Sequence, residues 1–426
     1  MTTLTRRKFI TVSGVGAAGL VTGLGTRLAI AAPGQPASGD AVVVLFLRGG
    51  ADGLNHAPPF GDSRYQDIRP TIGIPPPNQN GGALPLTNGS ANGNAAFPTG
   101  LEGTVGLHPA FQPIHETLWA QGRMAVIPAA GLPDSESANR SHFEAMQYVA
   151  RGSASGAVGG GFLGRMLNVS NPAAIVAGVN MSDQVFPLAG AANAAKIDEL
   201  GNFGLTGFRN VDDAKAAIRA LNGGTDSVST AGIEVLDVVD QIQALDNNRR
   251  PGYPNTSLGR KLSELSTLFG ANLGVHAATM DIGGWDTHNG QGGVGDQNGR
   301  FWRRTAEVAD AIRAFADDTN QLEEITLVIA TEFGRQVQEN GDRGTDHGRA
   351  ATWFAMGAGI QGGVFGDDYP DQIVFQNSGP RINALPVLTD YRKVLSDIMI
   401  NRVGVNNLDV VFPTYTQDGV LGVSRA

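Results

Sequence analysis

Cysteine is absent from the 426 residues, which removes disulfides, thiolate catalysis and cysteine-ligated zinc from consideration. Histidine is scarce, with 7 in the chain, so each can be judged on its own surroundings. Positive charge is in deficit: 31 lysines and arginines face 40 aspartates and glutamates, a formal net charge of -9. That balance argues against nonspecific binding to nucleic acid or to an anionic membrane. Near the amino end, the moderately apolar stretch from Thr11 to Ala31 is interrupted by Arg27. It stops short of the ~20 residues that a membrane span needs.

Glycine, by contrast, is plentiful at 59 residues, which implies many turns and long loops. Hydrophobic residues at 41% and charged residues at 17% are ordinary for a globular chain and supply a sizeable core. Length alone allows two or three domains. Thr5-Arg6-Arg7-Lys8-Phe9-Ile10 leads into the apolar stretch, which closes on Ala29-Ile30-Ala31. The pattern is similar to a twin-arginine export signal cut after Ala31. The expectation is a periplasmic or secreted protein with no membrane span once residues 1–31 are removed. Losing Arg6, Arg7, Lys8 and Arg27 takes four positive charges from -9, leaving a mature chain at -13.

Residues 32–39 read as a linker, and 40–426 as one α/β domain. Asp40 to Leu47 is an apolar, β-branched run expected to form a buried strand. It enters Arg48-Gly49-Gly50-Ala51-Asp52-Gly53-Leu54-Asn55-His56, whose spacing fits neither the P-loop nor the dinucleotide fingerprint. Asp52, Asn55 and His56 sit where the backbone can approach a ligand closely. Residues 58–106 form a Pro, Gly and Asn-rich excursion. A helix is expected over Leu107–Gln121 and a strand over Met124–Ala129. Ser141 with Glu144 makes a capping box at the start of a helix. A helix start also stabilises a nucleophile's developing charge, so capping and catalysis both remain open for Ser141. Ala173–Ala177 reads as a further strand, and about 180–256 as a helical insertion with an acidic helix over Ile233–Leu245. The leucines at 258, 262, 265 and 268 recur at helical spacing.

Gly274–Met280 is expected to be a strand feeding a loop with Asp286 and His288. In extended backbone, positions i and i+2 face one side, so the two side chains can converge on one metal. An amphipathic helix over Phe301–Asp317 precedes the most informative stretch, 325–357. Ile325 to Ala330 predicts a strand buried on both faces. It delivers Glu332 and Arg335 to its carboxyl end, where ligands bind in open α/β sheets. A loop then closes on Asp346 and His347, and Thr352–Met356 re-enters the core. Glu332, Asp346 and His347 are oxygen and imidazole donors suited to zinc or manganese; the plainer reading is turn-capping acids and a surface histidine. Arg48 and Arg335 have guanidinium groups that match an oxyanion, or that pair with nearby carboxylates. A closing helix is expected over Pro386–Ile400. Alternating strands and helices favour a doubly wound, mostly parallel sheet sandwiched by helices.

Several of these segments together resemble the domain-of-unknown-function family 1501. They are Arg6-Arg7, the run from Phe46 to Leu54, Arg140-Ser141-His142-Phe143, Gly284 to His288, Thr331 to Arg335, and Thr345 to Gly348. The resemblance spans nearly all of the mature chain. That family is exported and grouped with the alkaline phosphatase and sulfatase superfamily, so the resemblance implies that fold and a two-metal centre. It implies Asp52 on one metal, Ser141 as nucleophile, and Asp286 with His288 on the other metal. Glu332 keeps a carboxylate where the superfamily has an Asp-His pair, while Phe333 stands in place of the imidazole; His142 is the substitute at hand. His347 matches the last histidine. The implied activity is hydrolysis of a phosphate or sulfate ester, on a small molecule or a glycan, with a divalent metal: zinc, manganese or calcium. The alternative is a metal-binding or envelope-assembly protein that keeps the fold and serves a periplasmic partner.

Overall fold

The computed structural model describes residues 40–87, 102–133, 135–136, 140–366 and 384–425. The expected signal and linker, residues 1–39, lie outside the described residues, as do 88–101 of the excursion. Among the described residues nine strands make the main sheet: β1 (Ala41–Arg48), β2 (Met124–Gly131), β3 (Gly178–Met181), β4 (Ala194–Lys196), β5 (Ala277–Gly283), β6 (Ile325–Ala330), β7 (Ala351–Met356), β8 (Gly363–Val364) and β9 (Thr389–Asp390). Their order across the sheet is β8-β2-β7-β6-β1-β5-β3-β4, with β9 also paired to β2. All pairings are parallel except those of β7, which runs antiparallel to both β6 and β2.

β1 sits at the centre because both of its faces are apolar. Val43, Leu45 and Leu47 enter one core, and Val42, Val44 and Phe46 enter the other. Each such side chain, fully buried, contributes roughly 1.5–3 kcal/mol. The first core is closed by helices over Ser257–Gly270 and Arg300–Asp318, the second by helices over His142–Arg151, Phe162–Ser170 and Tyr391–Ile398. The architecture is therefore the expected doubly wound α/β sandwich. Among the described residues no helix is long and apolar enough to cross a membrane.

Three local expectations change. Leu107–Gln121 is not one helix: Pro109 and Pro113 divide it into a 3₁₀ turn, a single α turn and a π turn ending at Trp119. The strand expected at Ala173–Ala177 is a turn, and the ladder to β5 starts at Gly178. The insertion is not helical throughout, because Gly178–Met181 and Ala194–Lys196 add two strands to the sheet. Its helical part is Val211–Leu221 and Ser227–Gln243.

Candidate metal centre

The carboxyl ends of β1, β2, β5 and β6 meet the amino end of antiparallel β7, so five connections converge on one edge. They bring together His142, Asp286, His288 and His347, along with Glu332, Arg335 and Asp346. The Asp286 carboxylate Oδ1 is the centre. It lies 3.6 Å from His142 Nε2, 3.1 Å from His288 Nε2 and 3.3 Å from His347 Nε2. The His288 and His347 Nε2 atoms are 3.0 Å apart. One ligand atom each from His142, Asp286 and His347 fall within 4.8 Å of one another.

Each imidazole is fixed from behind. His142 Nδ1 is 2.7 Å from Glu332 Oε1, His288 Nδ1 is 3.0 Å from Asp346 Oδ1, and His347 Nδ1 is 3.0 Å from the Arg140 carbonyl. Carboxylates and carbonyls accept, so these partners assign the hydrogen to Nδ1 in every ring. Each ring thereby turns its Nε2 toward the other rings and toward Asp286. This arrangement of first ligands held by hydrogen-bonded carboxylates and a carbonyl is how metal-binding histidines are oriented.

The same bonds place Glu332 and Asp346 behind the imidazoles. Glu332 is buried and already engaged: Oε1 accepts from Gly49 N–H at 2.8 Å as well as contacting His142, and Oε2 accepts from the Thr331 hydroxyl at 3.0 Å. It orients His142 and is not itself drawn to the cluster. Asp346 Oδ1 likewise holds His288 and accepts from Asn340 at 3.3 Å; the His288 hydrogen bond keeps its carboxyl below the usual range. Phe333 lies against His142 and His347, with ring centroids 4.8 and 4.9 Å away. Gly50 makes room for it, since a Cβ there would meet the Phe333 ring at 2.5 Å.

Of the two readings open for Arg335, an oxyanion grip or a pair with a nearby carboxylate, its contacts match the second. Its side chain has no exposed surface. Nε donates to the Gly50 carbonyl at 2.6 Å, Nη1 to the Thr345 carbonyl at 2.9 Å, and Nη2 to the carbonyls of Gly49 and Trp285. Nη2 also lies 2.6 Å from Asp286 Oδ1. Burial opposes ionisation of Asp286, but the Arg335 hydrogen bond and charge, aided by His288, push its pKa down to about 2. For His347, burial and the charge of Arg335 lower the pKa, which disfavours the protonated ring.

Asp52 is not brought to the cluster. It is buried with Arg69 Nη1 at 2.7 Å and Gln291 Nε2 at 2.7 Å, inside a network that includes Asn55 and Tyr65. Arg69 neutralises it from a segment that gave no sequence signal. His56 is fully buried, ringed by Phe111, Trp285, Phe301 and Phe354, and burial lowers its pKa to about 3. Arg48 turns to Asp281 at 3.2 Å rather than to the site. Ser141 is exposed and stands, as expected, at the N-cap of the His142–Arg151 helix, though its side chain accepts no first-turn N–H.

Fold and site together define an α/β sandwich with one histidine-rich centre at its strand ends. A family model described as "Protein of unknown function (DUF1501)" matches residues 128–372, and the chain belongs to that family. No curated protein matches the sequence. Among solved structures, it is similar to Ps i-CgsB in complex with k-i-k-neocarrahexaose, at TM-score 0.36 and 7% identity over 90% of this chain and 75% of that one. Alkaline phosphatase from the Antarctic bacterium TAB5 aligns at TM-score 0.29 and 10% identity, over 76% and 94%. The lipoteichoic acid synthase LtaP from Listeria monocytogenes aligns at 0.32 and 10%, over 84% and 76%. Similarities of this size assign no residue roles.

Proposed function

We propose that the protein holds one divalent ion through His142, His288, His347 and Asp286, and acts as a hydrolase on a phosphate or sulfate ester. The observation that carries this reading is the set of three imidazoles whose Nδ1 atoms are tied to acceptors while their Nε2 atoms converge on Asp286. Of zinc, manganese and calcium, imidazole donors favour zinc. A divalent ion held there would supply Lewis-acid polarisation of an ester oxygen. The chain's own part is to fix the rings, keep Asp286 ionised through Arg335, and leave the cluster partly open to solvent; His288 is 44% and Asp286 47% exposed in the side chain. Ser141, exposed beside His142, is the hydroxyl best placed in sequence to attack.

A second reading, a metal-binding protein without turnover, is favoured by one observation. Asp52 belongs to the Arg69 network, so the residues implied for a second metal do not assemble. Elemental analysis and zinc titration of wild type, Asp286→Ala and His347→Ala test the metal, and a panel of phosphate and sulfate esters tests turnover. We expect close to one zinc per chain. Each substitution should lower affinity by more than the roughly 10–100-fold that follows loss of a supporting residue. A chain that takes up no zinc, nor manganese, sinks the proposal; metal without turnover of any ester leaves the second reading. Turnover that survives Ser141→Ala removes the serine from the chemistry.

A further inference from the structure

An anionic ester offers more oxygens than one ion holds, and they need a donor with positive charge. The two arginines singled out from sequence are spent, Arg335 on four carbonyls and Asp286, and Arg48 on Asp281. Arg349 also has its own partner. Arg140 differs. It is half-buried and immediately precedes Ser141 and His142. It is latched to His347 twice: its carbonyl accepts from His347 Nδ1 at 3.0 Å, and its Nη1 donates to the His347 carbonyl at 3.2 Å. That Nη1 bond is the only one its guanidinium makes among the described residues. Its other guanidinium hydrogens have no partner among the described residues.

Charge balance leads to the same residue. Asp286, Glu332 and Asp346 bring three negative charges to the centre, and Arg335 with a divalent ion offsets them to zero. Without a further cation an anion would meet no net attraction. The geometry points to Arg140 as the residue that grips the non-bridging oxygens of the anionic ester, an inference that rests on the metal-dependent reading above. Arg140 sets specificity for tetrahedral oxyanions over neutral esters, and its planar fork matters as well as its charge.

The test measures inorganic phosphate and sulfate binding by calorimetry, in zinc-loaded and in chelator-treated protein, for wild type, Arg140→Ala and Arg140→Lys. Zinc affinity is measured alongside as a readout of His347 placement. We expect Arg140→Ala to keep wild-type zinc affinity and lose about 10–100-fold in phosphate affinity, the range for a hydrogen bond to a charged group. Arg140→Lys should recover part of it. Unchanged phosphate affinity in zinc-loaded Arg140→Ala overturns the inference and leaves the metal reading intact. So does parallel loss of zinc and phosphate, which would make Arg140 a support for His347. If the wild type takes up no metal, the metal reading fails by itself; Arg140-dependent phosphate binding in that protein would still support the inference, and no phosphate binding would overturn it.

Discussion

Arg335 has no exposed side-chain surface, yet its donors reach the loops after β1 and β5 and the segment that returns toward β7. Removing it would leave backbone carbonyls without donors in a place water does not reach. We expect Arg335→Met to cost on the order of 3–5 kcal/mol, as for breaking a buried charged contact. Denaturant unfolding measures it, and a loss under about 1 kcal/mol would put Arg335 with surface pairs. The sequence placed Arg335 at the right strand end but could not give its direction. That depends on four carbonyls, three of them contributed by residues 50 to 286 positions away. His142, Asp286, His288 and His347 were legible because loops past strand ends are where such groups meet. Arg69, which claims Asp52, sits in the excursion with nothing in its neighbours to mark it. Glu332 and Asp346 were found as well, but their hydrogen bonds to His142 and His288 depend on side-chain direction, which spacing does not give.

Among the elements, the turn after β1 is tightly constrained. Gly50 has φ +64°, the left-handed region that costs a residue with a Cβ roughly 1–2 kcal/mol. The Phe333 ring fills the space beside it and in turn backs His142 and His347. Gly50→Ala should therefore lower stability and zinc affinity together. Thermal unfolding and zinc titration of one preparation check this, and unchanged zinc affinity would show that Phe333 does not position the rings. Most strands were readable from apolar runs, and Ile325–Ala330 is bounded as expected. The direction of β7 was not readable, because a run buried on both faces looks the same either way. The segment after Leu107 was misread because its apolar spacing suits a helix while its two prolines do not.

At the scale of the whole molecule, acid should act through two histidines far from solvent. Burial lowers both His56 and His108 to about 3. The unfolded chain protonates them below about 6.5, while the folded chain does not until about 3. The unfolded state thus binds more protons in that window, and stability is complete above pH 6.5 and falls as pH drops toward 3. The loss is roughly 1.4 kcal/mol per pH unit for each residue. His56→Phe, placed among Phe111, Phe301 and Phe354, should flatten the fall by about one proton's share. Urea unfolding of both proteins from pH 7 to 5 measures the difference, and parallel curves would refute it. The latch between Arg140 and His347 spans 207 positions, and the pair of Glu332 with His142 spans 190. Contacts of that separation form late, once loop-closure entropy has been met by other parts of the chain. The imidazole cluster thus comes into being only when β2, β7 and β6 have found each other; on the metal-dependent reading, ion uptake would mark the end of folding in time rather than its seed.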